Sequence, residues 1–220
     1  MNEQFRLRIC YAKQGRLRWL SLLELTRAME RLVRRSGLPY VVTQGFNRHM
    51  RFASGPALPV GTAGESELFD VWLTTYVPPE AALVALRQAA GGMISVVDAT
   101  YVPLKAKGLQ ATHVVNEYRL VLQSAKLDCQ AMQAALDALI AVGNLEVLVK
   151  DKPRSFDLKA IVIDPPKVLS ASDIGSDCYQ MNCTLLNTSA GALRPEQLVA
   201  ATFGNQCQTI LVERIGLREL

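Results

Sequence analysis

Near the start of the chain, Phe5, Leu7, Ile9 and Tyr11 alternate with Arg6, Arg8 and Cys10, the period of a strand with one buried face. After a turn at 13–15, Arg16 and Arg18 alternate with Leu17 and Trp19, and a helix then begins at Ser21. Its start is specified by an S-x-x-E capping box, Ser21 with Glu24, and its end by Gly37 and Pro39. Leu22, Leu25, Met29, Leu32 and Val33 form its apolar stripe, while Arg27, Arg31, Arg34 and Arg35 recur at the same spacing on the remaining surface. A short strand over 41–43, a turn at Gly45-Phe46-Asn47 and a returning strand over 50–54 follow. Residues 55–66, with two prolines and three glycines, read as a loop. Phe69, Val71 and Leu73 then mark a strand, 78–90 a helix bounded by prolines and Gly91-Gly92, and 94–102 a strand.

This order, strand, helix, strand, strand, helix, strand, is the βαββαβ pattern of a ferredoxin-like fold. After a polar connection at 105–111 it returns more weakly. Strands are expected over 114–122, 145–150, 156–163, 179–186 and 209–215, helices over 128–141 and 195–202, and a loop over 164–176. The second half thus has one strand more than the pattern requires. The expectation is an α+β protein of two tandem ferredoxin-like halves, 1–104 and 112–220, with antiparallel sheets and the helices on one face.

Charge is distributed unevenly along the chain. Residues 1–51 carry eleven Lys/Arg against three Asp/Glu, a net of +8, whereas the remaining 169 residues carry 13 against 17, a net of −4. A basic first quarter on a mildly acidic body points to a polyanionic partner. Half of the 220 residues are apolar, enough for a substantial core, and no run of about eighteen apolar residues suggests a membrane span. The first ten residues lack the apolar stretch and cleavage site of a secretion signal. Five cysteines without a CxxC pair or regular spacing fit the cytoplasm, and with two histidines they give no zinc pattern. Neither a GxxxxGK[ST] nor a GxGxxG loop occurs, so no cofactor is expected.

Several motifs together resemble the radical-SAM-linked protein family, a domain of unknown function encoded beside or fused to cobalamin-binding radical SAM proteins. The family's opening is matched by RLRICYAKQGRLRWLS, its helix by SLLELTRAMERLVRRSGLP, and its loop by GFNRHM followed by LPVG and ELFD. DLK at 157–159 and ALRPEQLVA match two later elements. The chain departs at Leu22 and Glu24, where the family has His and Asp, and at Arg48 and Met50, where it has prolines. The resemblance implies a radical SAM enzyme as partner and, through the company of ribonuclease genes, a link to RNA. The CxxxCxxC triplet of the radical enzyme itself is absent from this chain.

The candidate polyanion-binding set is Arg16, Arg18, Arg27, Arg31, Arg34, Arg35, Phe46, Asn47, Arg48, His49 and Arg51. Guanidinium forks match phosphate oxygens; the same helix arginines also read as a solvated face in which Glu24 pairs with Arg27 and Glu30 with Arg34. Trp19 reads as core, and Phe46 is open to either role. His49 fits a general base for ribose cleavage, assisted by Tyr11, Lys13 or Ser21, or a loop contact without chemistry. Three functions follow: a non-catalytic RNA-binding accessory of a radical SAM enzyme, an adaptor that docks on that enzyme without RNA, or a metal-independent endoribonuclease using His49.

Overall fold

The computed structural model describes residues 3–149, 152–188 and 191–220. The chain divides into two compact units, Met1–His113 and Val114–Leu220. Both are mixed α/β, and the strand pairs described below are antiparallel.

In the first unit, β1 (Phe5–Lys13) is followed by a 3₁₀ turn (Gly15–Trp19) and α1 (Leu22–Arg35), then by β2 (Phe52–Ser54), β3 (Ala63–Leu73), α2 (Pro79–Ala90) and β4 (Ser95–Val102). The strands lie in the order β4, β1, β3, β2. Alternation dictates the faces: Leu7, Ile9, Phe69, Val71 and Leu73 are buried beneath Leu25, Met29, Leu32 and Val33 of α1 and Ala82 and Leu86 of α2. Each such side chain contributes roughly 1.5–3 kcal/mol by leaving water.

The start of α1 has the expected geometry. Ser21 N–H donates to Glu24 Oε2 at 2.9 Å and Glu24 N–H to Ser21 Oγ at 3.4 Å. Leu22 departs from the expected stripe and is exposed. In place of the expected strand over 41–43 there are isolated bridges, Tyr40 to Leu73 and Val42 to Met50. The first turn of β3 lies inside the expected loop 55–66, because Gly64 pairs with Lys13 across the sheet. The connection 105–111 runs into a short α3 (Leu109–Thr112).

The second unit contains β5 (Val115–Gln123), α4 (Cys129–Val142), β6 (Asn144–Val149), β7 (Lys152–Asp157), α5 (Leu158–Ile161), β8 (Val162–Ser170), β9 (Cys178–Leu186), α6 (Pro195–Phe203) and β10 (Gln208–Arg218). Its main strands lie in the order β10, β5, β9, β8. β6 and β7 form a separate two-stranded hairpin between α4 and β8. The expected strand end at Lys150 lies outside the described residues. The expected strand over 156–163 is broken because the Asp157 carboxylate accepts from Lys159 N–H and Ala160 N–H, starting α5. β8 then extends to Ser170 through what was expected to be loop, because Lys167 to Ser170 pair with β9. Its Pro165 and Pro166 sit where the register with β9 shifts, the position in a sheet that tolerates a missing N–H.

Candidate polyanion-binding face

The basic residues of the first unit separate into two groups with different roles. The first is internal. Arg6 Nε and Nη2 donate to Asp70 Oδ2 at 2.8 and 2.6 Å, and Arg8 Nε donates to Asp70 Oδ1 at 2.9 Å. Arg6 also donates to the carbonyls of Ala106 and Lys107. Lys13 is buried, with Nζ 3.3 Å from the Pro59 carbonyl. On the same sheet face, Trp72 lies between the guanidinium groups of Arg6 and Arg51, 4.9 and 4.6 Å from its ring centroid. Arg51 also donates to Gln4 Oε1 at 2.6 Å. Arg51 therefore belongs to the fold as much as to the surface.

The second group faces water. The residues of α1 that oppose its buried stripe are Arg27, Arg31, Arg34 and Arg35, and all four are exposed. Their positions fall within an arc of about 100° at 100° per residue, because 31 lies four after 27 and three and four before 34 and 35. Of the two expected ion pairs, Glu30 with Arg34 forms at 3.5 Å between partly exposed groups. The charge of Arg27 acts on Glu24, whose carboxyl is held below its usual range first by the Ser21 hydroxyl, then by the Ser21 backbone N–H and, more weakly, by that charge. Arg31 and Arg35 form no ion pair among the described residues.

Two clusters flank this ridge. Before α1, Arg16 is exposed and the Arg18 guanidinium lies 4.9 Å over the Trp19 ring. Trp19 is 59% exposed, which corrects its expected place in the core: the 3₁₀ turn rotates the ring outward onto Gly61. After α1, Phe46, Asn47, Arg48 and His49 project from the bend between Val42 and Met50, and Phe46 is fully exposed. Thr43 N–H donates to the His49 carbonyl and His49 N–H to Thr43 Oγ1, which fixes this bend at its base.

The two clusters do not meet. The Trp19 cluster sits where Lys13 pairs with Gly64, and the Phe46 bend sits near Leu73, nine residues further along β3. At strand rise that is about 30 Å. The separation removes the assistants considered for His49. Tyr11, Lys13 and Ser21 all belong to the Gly64 end, and the Ser21 hydroxyl already donates to Glu24 at 2.6 Å. Among the described residues, no acid–base pair is assembled around His49.

Some surface residues escaped the sequence reading. Tyr76 is half exposed, with one face stacked on Tyr101 at 5.0 Å, close to the Leu73 end. Leu23, in the first turn of α1, and Val60, next to the Gly61 that meets the Trp19 ring, are exposed. Periodicity gives no signal for them, since each is an apolar residue at a position adjoining an element end. His113 is buried, with its Nδ1 2.8 Å from Thr112 Oγ1. Among the described residues, no cluster of three or more His, Cys, Asp or Glu could hold a metal ion, and no helix is long and apolar enough to cross a membrane.

Fold and surface together define a mixed α/β protein with mostly antiparallel sheet whose first unit carries an exposed cationic helix. The chain belongs to DUF2344, described as an uncharacterized protein conserved in bacteria, which matches residues 6–195. A search of curated proteins finds no match. Among solved structures, a chain from the crystal structure of a Cbf5-Nop10-Gar1 complex is similar at 11% identity and a TM-score of 0.53. The match covers 96% of this chain and 48% of that one, so the chain spans about half the length of this neighbour. A likeness at that identity concerns the fold alone. An unknown protein from Galdieria sulphuraria matches at 13% identity over 99% of both chains with a TM-score of 0.29. DyPB from Rhodococcus jostii RHA1 matches at 9% identity over 94% of this chain and 90% of that chain, with a TM-score of 0.24.

Proposed function

We propose that this protein is a cytoplasmic, non-catalytic accessory that binds RNA along the outer face of α1. The observation that carries the reading is the exposure of Arg27, Arg31, Arg34 and Arg35 on one face, with a single long ion pair among them. The cations that folding needs, Arg6, Arg8 and Lys13, are elsewhere. A row of exposed guanidinium groups on a rigid helix suits phosphates spaced along a strand. Phe46 and Tyr76 supply exposed rings beside the C-terminal end of that row, as single-strand binding requires.

Each unit reads as a ferredoxin-like half. Supporting this are the strand orders β4, β1, β3, β2 and β10, β5, β9, β8, each with a helix after its first and third strands once the β6–β7 hairpin is set aside. The motif resemblance extends the reading to a radical SAM enzyme as the protein that the accessory serves. The nuclease alternative loses ground because, among the described residues, none forms an acid–base pair with His49.

The test is fluorescence anisotropy of a labelled single-stranded RNA titrated with the protein at several salt concentrations. Binding that weakens steeply with salt is expected. Absence of binding at low salt, or binding indifferent to salt, would contradict the reading.

A further inference from the structure

At the Gly64 end of the first unit lies a surface that RNA binding does not explain. Trp19 and Leu23 are each 59% exposed, Val60 is 58% and Leu22 is 40% exposed. They lie on three segments, two consecutive in the chain and the third joined to the first through Gly61. The 3₁₀ turn presents Trp19, the first turn of α1 presents Leu22 and Leu23, and the crossing before β3 presents Val60. That crossing is pinned to the turn: Gly61 N–H donates to the Arg18 carbonyl at 2.8 Å, and a Cβ on Gly61 would stand 3.3 Å from the Trp19 ring. Gly61 has φ of +91°, so only glycine brings Val60 this close without strain.

We infer that this patch docks an amphipathic, acidic helical segment of a partner protein. Contiguous exposed apolar surface rimmed by polar groups marks an interaction site. Tryptophan and arginine are the residues in which interface energy concentrates. The rim decides the sign of the partner. Arg16, Arg18 and Arg27 lie on the same segments as the patch; of the acids at this end, Glu24 is exposed, Glu65 half-buried and Glu67 buried, so the exposed charge favours an acidic segment and repels a basic one.

Two other occupants fit less well. A second copy meeting the patch face to face would set the same arginines against each other. A nucleic acid would find one ring to stack on, Trp19, whose neighbours Leu22, Leu23 and Val60 have no π face. Arg27 belongs both to the rim and to the start of the α1 row, but the patch is about 30 Å along β3 from the Phe46 bend, so RNA held at the Phe46 end of the row leaves the patch open. The inference does not depend on the RNA reading, and fails or stands separately from it.

The probes are two fluorescein-labelled amphipathic helical peptides that share one stripe of leucine and phenylalanine. In one peptide the stripe is flanked by glutamates, in the other by lysines. The glutamate peptide is expected to bind the full chain about tenfold or more tighter than the lysine peptide. Leu23→Asp and Val60→Asp should each weaken that binding by a similar factor. Both positions are exposed, so the fold is retained, as circular dichroism will check; either variant suffices if the other misfolds. An unlabelled oligouridine should leave the peptide bound. No binding of the glutamate peptide, equal binding of both peptides, or indifference to both substitutions would overturn the inference. Displacement by oligouridine would assign the patch to nucleic acid instead.

Discussion

Asp70 and Arg6 form a buried fork: both guanidinium contacts end on one carboxylate oxygen, at 2.8 and 2.6 Å, and Asp70 has no exposed surface. Because Arg8 reaches the other oxygen, one acid holds two of the eleven basic residues of the first segment. The charge that remains for a partner is therefore concentrated on α1 and its flanks.

Removing that acid strands two cations, one of them buried. Asp70→Ala is expected to destabilise the protein by about 3–5 kcal/mol, the range for breaking a buried pair from one side. Glu30→Ala, at an exposed pair of 3.5 Å, should change stability by at most about 0.5 kcal/mol. Urea denaturation of the two variants checks the contrast, and a Glu30 effect as large as the Asp70 effect would be inconsistent with it.

The two tryptophans occupy opposite environments. Trp19 is largely exposed, whereas Trp72 is 8% exposed and clamped between Arg6 and Arg51. Trp19→Phe should remove most of the acrylamide-quenchable, red-shifted fluorescence and leave a weakly quenched remainder. If quenching is unchanged by that substitution, the outward rotation of the 3₁₀ turn is wrong.

The cap of α1 depends on pH with a definite sign. The Ser21 hydroxyl and backbone N–H lower the pKa of Glu24 in the folded state. The stability this contributes is present above the unfolded carboxylate value and lost as pH falls through the lower folded one. Ser21→Ala should cost about 1 kcal/mol at neutral pH. It should also flatten the loss of thermal stability on acidification, measured as Tm across the acid range. A Tm profile identical to that of the unaltered protein would exclude the cap as the cause.

Buried Cys183 behaves oppositely. Burial, and secondarily the charge of Glu196, push its thiol from 9.0 to about 12. The raised value gives stability that is complete below pH 9 and declines as pH rises toward 12. Iodoacetamide at mildly alkaline pH should spare Cys183 in the native protein and alkylate it in denaturant. Rapid native alkylation at Cys183, read by mass spectrometry, would contradict its burial.

Much of the fold was legible because local signals agreed. The Ser21–Glu24 box, the Leu25–Val33 stripe and the alternation through Phe69, Val71 and Leu73 each need only nearby residues to be read. What escaped depends on distant partners. Gly64 extends β3 because Lys13 faces it, and β8 continues to Ser170 because β9 pairs with it, neither of which composition reveals. The β6–β7 hairpin registered only as a surplus strand. The site divided in the same way. The outward arginines of α1 follow from helical spacing, but the internal roles of Arg6, Arg8 and Arg51 require knowing that Asp70 and Trp72 lie across the sheet. Trp19 was misplaced because alternation over Arg16 to Trp19 imitates a strand, while Gly61 favours a tight turn beneath its ring.

In the proposed function the arginines of α1 hold RNA phosphates. Its most direct test compares the salt dependence of single-stranded RNA binding by the unaltered protein and by an Arg31→Ala/Arg34→Ala variant. Loss of two phosphate contacts should reduce the slope of log K against log salt by about 1.4, with weaker binding at every salt concentration. An unchanged slope and affinity would show that the helix face does not touch RNA.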